Sequence, residues 1–176
     1  MKISLKKYTL TFLSLIGILA FGSCSDDVEV EAVYITAAEK TSITSFSARN
    51  DGDNMGITVS TSLIAEADVN VELFIDNSLV ESYNKEHDES YQSLPEGTCS
   101  LSESNLFVSK GTYRSDAIKL IVNDIEKVGK GVNYLLPIRL ISKSKVYPSL
   151  PGSDFLYVII NWTMLVNVPK FNGRNY

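Results

Sequence analysis

Alternation is the feature that most constrains this chain. Across residues 68–76 the apolar side chains Val69, Val71, Leu73 and Ile75 fall at every second position, with Asp68, Asn70, Glu72 and Asp76 on the other parity. Successive side chains of an extended strand point to opposite faces, so this spacing buries one face and wets the other. Phe74 breaks the pattern, an aromatic ring on the polar side. The parity recurs in Ile57, Val59 and Leu63, with Thr58, Ser60 and Ser62 opposite. It returns in Ile118, Leu120 and Val122, and again in Tyr134, Leu136, Ile138 and Leu140. Such half-buried strands belong to antiparallel sheets. Residues 155–160 are apolar on both sides and predict a central, doubly covered strand, and residues 28–35 predict a first strand. Pro137 has no N–H to give a ladder and is expected at an edge or a bulge.

Loop chemistry separates these runs at residues 50–54, 94–97, 110–111, 128–131 and 147–153, all rich in Gly, Pro, Asn, Asp or Ser. One helix interrupts them. Ser78-Leu79-Val80-Glu81 has the form of a capping box, Leu79, Val80 and Tyr83 give a short apolar stripe, and the helix is expected to end near His87. Short strands at this spacing without repeated helices predict an all-β, immunoglobulin-like sandwich with one short crossover helix.

The N-terminus is built differently. Lys2, Lys6 and Lys7 precede an apolar run over residues 8–22, and Gly22-Ser23 lies directly before Cys24. This is the layout of a secretory signal, too short for a spanning helix. Phe21-Gly22-Ser23-Cys24 resembles the lipobox of bacterial lipoproteins, with Phe21 where the usual pattern has Leu. The resemblance implies a signal peptide over 1–23 and a mature chain beginning at an acylated Cys24. Asp26, Asp27, Glu29 and Glu31 then make an acidic tether over 24–31, which resembles the export tag of Bacteroidetes lipoproteins. That likeness implies an outer-membrane, lipid-anchored protein facing the cell exterior. A plain solvated tether is the alternative reading of the acids.

Residues 32–176 suffice for a single sandwich domain, large enough to bury about 68–70% of its unfolded surface without a staple. The full chain carries −5, and removing Lys2, Lys6 and Lys7 takes it to −8. An acidic domain without a basic cluster is unsuited to nucleic acid, whose binding needs Lys and Arg against phosphate. With Cys24 acylated, Cys99 has no partner for a disulfide and reads as a small buried hydrophobe or a lone thiol.

No catalytic set assembles from the sequence. His87 is the only histidine, and neither it nor Cys99 has metal-ligand neighbours at useful spacing. Asp51-Gly52-Asp53-Asn54 begins like a calcium loop, but Met55 stands where a third oxygen belongs, so an ordinary turn is expected. Neither metal nor cofactor is expected. Aromatic residues Trp162, Tyr147, Tyr157, Phe155 and Phe171 gather toward the C-terminus and read as core filler or as a sugar-stacking surface. Tyr147, in a loop beside Pro148, is the expected exposed ring, and Trp162 the second candidate ligand contact.

The run Val71-Glu72-Leu73-Phe74-Ile75-Asp76, then Ser78-Leu79-Val80, Tyr83-Asn84, Tyr91 and Leu94-Pro95 has a recognisable order. Phe107-Val108-Ser109-Lys110-Gly111, Ile118-Lys119-Leu120 and Tyr134-Leu135-Leu136-Pro137-Ile138 continue it. This order resembles the Bacteroidetes family called domain of unknown function 1735, an N-terminal module of surface lipoproteins. The resemblance implies an immunoglobulin-like module that often precedes a glycoside hydrolase or a lectin-like domain. It transfers no catalytic or binding residue, because each matched position has a structural reason. Two functions remain open at this level. One is a non-catalytic accessory module in glycan binding or utilisation. The other is a structural or adhesive surface protein that binds a protein partner through loops or an edge strand.

Overall fold

The computed structural model describes residues 31–129 and 131–162. The signal segment, Cys24, most of the acidic tether and Phe171 lie outside them. Among these residues eleven strands and one α-helix follow in chain order. They are β1 (Val33–Ile35), β2 (Ile43–Ala48), β3 (Asn54–Ile57), β4 (Val59–Thr61) and β5 (Val69–Ile75), then α1 (Leu79–His87). After the helix come β6 (Gln92–Ser93), β7 (Cys99–Leu101), β8 (Asn105–Val108), β9 (Ile118–Val122), β10 (Tyr134–Ser142) and β11 (Phe155–Trp162).

The large sheet runs β2-β11-β10-β5-β8, with β6 also pairing β10. Facing it are the pair β1-β4 and the three-stranded β3-β9-β7. The chain therefore begins in one layer with β1 and crosses to the other with β2, which pairs parallel to β11. This is the expected immunoglobulin-like sandwich.

The inward parities form one core. Val69, Val71, Leu73, Leu136, Ile138, Leu140, Leu156, Val158 and Ile160 of the large sheet meet Val33, Ile35, Ile57, Val59, Leu120 and Val122 of the opposite layer. Fully burying an aliphatic side chain of this size is worth about 1.5–3 kcal/mol, so this interlayer packing is what holds the sheets together. Strand β11 is central and covered on both faces, as its two-sided apolar run requires.

Pro137 departs from expectation. It lies in the middle of β10, a central strand, opposite Tyr157 of β11. Its carbonyl accepts the Asp76 N–H at 2.9 Å, so its backbone polar side faces β5. Pairing with β5 stops at Ile138 and pairing with β6 starts at Leu135, which leaves the missing N–H opposite a gap between partners. Pro137 thus occupies a local edge inside a central strand. Leu63 also departs: β4 ends at Thr61, and Leu63 is an exposed loop residue.

The helix ends where expected but is capped otherwise. Ser78 makes no side-chain cap bond and already has helical dihedrals. Asp76 supplies the cap instead, its Oδ1 accepting the Ser78 N–H at 3.2 Å and the Ser78 hydroxyl at 2.5 Å. At the other end Asp88 takes the left-handed conformation (φ 55°) that closes the last turn.

Candidate functional site

The outer face of the large sheet is divided into a covered and an open half. Helix α1 covers the β10–β11 side, burying Val80 and Tyr83 against Leu135 and Tyr157. The Tyr83 ring centroid lies 4.4 Å from that of Tyr157 and 4.2 Å from that of His87, and Phe155 sits 5.3 Å from Tyr157. Burial is the main cause that raises the hydroxyl pKa of both Tyr83 and Tyr157, with Tyr91, Glu89 and Glu86 adding to it for Tyr83, and Glu86, Tyr83, Asp154 and Asp76 for Tyr157. Asn84 fastens the return loop by bonding both the N–H and the carbonyl of Tyr91.

The β5–β8 side is open. Antiparallel register aligns Asn70 with Phe107, and Glu72 with both Asn105 and Ile141. The next row holds Phe74, Arg139 and Phe155. Val69, Val71, Leu106 and Val108 point inward, so Phe107 must point out, and it is 57% exposed. Ile141 is 40% exposed on β10, separated from Phe107 by β5 and its Glu72. Glu72 pairs with Lys143 at 2.5 Å, and Arg139 reaches Asp76 at 3.6 Å. The Asn70 Oδ1 is buried beneath this face with no hydrogen-bond partner among the described residues. Along the free edge of β8 a groove of about 270 Å³ is lined by Glu103, Asn105, Phe107, Ser109 and Asp116, so Phe107 borders both the face and the groove. The result is a face on which apolar side chains alternate with amide, carboxylate and guanidinium groups.

Tyr147 is not the exposed ring expected of its loop. It is 1% exposed. Its hydroxyl accepts the Glu66 N–H at 2.9 Å and its carbonyl accepts the Ser142 hydroxyl, so it pins the 62–68 and 143–154 loops together. Burial removes both of its ring faces from any sugar. Trp162 ends β11 opposite Ala48, and its side chain lies outside what is described. Tyr157 and Phe155 join the cluster beneath α1 rather than a C-terminal surface. Cys99 is half-buried against the core, and burial pushes its thiol pKa up to about 11, so it is held as a neutral thiol.

The Asp51 loop spends its carboxylates on the backbone. Asp53 Oδ2 accepts the Arg49 and Asn50 N–H groups, which lowers the Asp53 pKa, and Asp51 Oδ1 accepts the Ile125 N–H at 2.7 Å. No cluster of three or more His, Cys, Asp or Glu suited to a metal ion occurs among the described residues. Phe107 and Asn105 were missed as site residues, although the inward parity of Leu106 and Val108 already turns them outward. Phe74, the break in the β5 alternation, was the visible signal.

The family model described as a "-like, N-terminal domain" matches residues 27–146, 120 of the 176 positions. The chain belongs to that N-terminal domain family. No curated protein matches it by sequence. Among solved structures, this N-terminal domain is similar to a Bacteroides ovatus protein provisionally described as carbohydrate binding, with TM-score 0.65 and 23% identity over 74% of this chain and 36% of that one. A two-domain Bacteroides fragilis protein of unknown function gives TM-score 0.62 at 17% identity, over 93% of this chain and 52% of that one. EndoBT-3987 of Bacteroides thetaiotamicron, solved with a Man5GlcNAc product, gives TM-score 0.57 at 15% identity over 74% and 30%. The chain thus spans about half or less of these neighbours, and at such identities the likeness carries the fold alone.

Proposed function

We propose that this domain is the accessory module of a surface lipoprotein, anchored through an acylated Cys24, that lays a glycan across the open half of its large sheet. The observation that carries this reading is the division of that face: α1 seals one half, and the other presents Phe107, Phe74 and Ile141 between Asn105, Glu72, Arg139 and Lys143. A sugar ring offers an apolar C–H face and a rim of hydroxyls, and a face of interleaved apolar and polar side chains matches both. Glu72 and Asp76 are each paired with a cation, which suits a polar rim for binding. The order of matched residues from Val71 to Ile138 supports assignment to the domain of unknown function 1735 lineage. The carbohydrate connections of two structural neighbours support glycan as the ligand class. Cell-surface placement supports weak single sites made effective by many tethered copies.

A glycan array probed with residues 24–176 tests this. Wild type is expected to bind a polysaccharide weakly, and Phe107→Ala to lose roughly tenfold, the equivalent of about 1.4 kcal/mol. Lys127→Ala, at the far end of the sandwich, should bind as wild type. Absence of any bound glycan, or full binding by Phe107→Ala, would overturn the reading.

A further inference from the structure

The chain enters the sandwich through a patch that the glycan face does not use. β1 pairs antiparallel with β4, so Ala32 meets Ser62 in a two-way contact, its N–H donating to Ser62 Oγ and its carbonyl accepting the Ser62 N–H, both at 3.0 Å. On its other side β1 runs parallel to the 148–150 segment, with the Val33 N–H bonded to the Pro148 carbonyl at 2.9 Å. Followed toward the N-terminus, the chain therefore leaves between the 62–68 and 143–154 loops. The third loop at this end, 109–117, is stitched in by bonds from Thr61 N–H to the Tyr113 carbonyl and from Ala65 N–H to the Thr112 carbonyl.

Four of the large exposed apolar side chains crowd this exit. Ile64 is 63% exposed, Val146 62%, Tyr113 57% and Leu63 36%. Tyr147 pins the 62–68 and 143–154 loops, and the Thr61 and Ala65 N–H groups hold the 109–117 loop, so the positions of these side chains are set by the fold. The same loops carry Lys110, Arg114, Lys143 and Lys145 against Glu66, Asp68, Asp116 and Asp154. They are charge-balanced, whereas the tether that leads to Ala32 carries Asp26, Asp27, Glu29 and Glu31, so attraction to a surface at this end has to come from the apolar tips rather than from charge.

We infer that these loop tips rest on the lipid surface in which the protein is anchored, with Leu63, Ile64, Tyr113 and Val146 entering the headgroup region. The inference rests on the acylated Cys24 of the proposed function. Between that anchor and Ala32 lie residues 25–31, which reach at most about 25 Å when fully extended. So short a tether, leaving the domain between these loops, keeps this end at the bilayer. Leu and Tyr side chains flanked by Lys and Arg are what an interface accepts, ring and chain inward and charge at the phosphates. Contact here also fixes the long axis of the sandwich upright and leaves the open sheet face directed sideways.

The test uses the full acylated protein isolated from membranes, in a Cys99→Ser background, with one environment-sensitive fluorophore at Ile64→Cys, Val146→Cys or, at the far end, Glu96→Cys. Each is reconstituted into phosphatidylethanolamine–phosphatidylglycerol vesicles with and without lipids carrying a quencher near the headgroup. The labels at 64 and 146 are expected to shift to the blue and lose most of their emission to the quencher, while the label at 96 does neither. Adding Leu63→Asp and Tyr113→Asp should restore emission at 146 while flotation with the vesicles persists. A protein that floats with all three labels unquenched overturns the loop contact but keeps the anchor, and leaves the patch to a protein partner. A protein that does not float removes both.

Discussion

Tyr147 is held by its hydroxyl as much as by its ring. The Glu66 N–H that it accepts has no strand partner, because β4 has ended and β5 has not begun. Tyr147→Phe leaves that donor unsatisfied and is expected to cost about 1–3 kcal/mol. Tyr147→Ala adds a cavity and should cost about 3–5 kcal/mol. Urea unfolding of both variants checks this, and an unchanged midpoint for Tyr147→Phe would contradict it. Glycan binding by folded Tyr147→Phe should match wild type. The sequence marked Val146-Tyr147-Pro148 correctly as a loop, yet loop membership says nothing of which side chain turns inward. Here Val146 is exposed and Tyr147 is buried. That choice depends on the Glu66 backbone 81 positions away, which no local pattern encodes.

Elements follow local rules where their neighbours permit. The inward faces of β5, β9 and β10 were legible because period-two alternation is a property of each strand alone. The central position of Pro137 was not, because it depends on where β5 and β6 stop along the same side of β10. Helix α1 was placed correctly from its apolar stripe, and its cap was missed because Asp76 lies two residues before the expected serine. The helix–sheet contact has a pH signature. Tyr83 and Tyr157 have raised pKa values in the folded chain, so in alkali the unfolded chain ionises first. Their contribution is fully present below pH 10.0, the ordinary tyrosine value, and is lost as pH rises through the folded values. Absorbance titration at alkaline pH is expected to show three late tyrosines, Tyr34 with Tyr83 and Tyr157, that become ordinary in denaturant. Tyr83→Phe and Tyr157→Phe should each flatten the loss of stability above pH 10.0. Equal titration of all tyrosines in the folded protein would contradict the burial of this contact.

At the scale of the molecule the sandwich divides its tasks by direction. The end at which the chain enters at Ala32 carries apolar loop tips, α1 covers the β10–β11 half of one sheet face, and the β5–β8 half of that face stays open. The alternation of Asn105 and Phe107 with Leu106 and Val108 spans too few residues to mark a strand, and openness is a property of what α1 fails to cover, which only the assembled sheet shows. The most direct test of the central claim is an amide chemical-shift titration of residues 24–176 with the glycan selected by the array. Shifts are predicted at Glu72, Asn105, Phe107 and Ile141, with none at the Asp51 turn or at Glu126. Shifts confined to the Asp51 turn and the 123–129 loop, or none at saturating glycan, would contradict the claim that the open half of the large sheet is the binding surface.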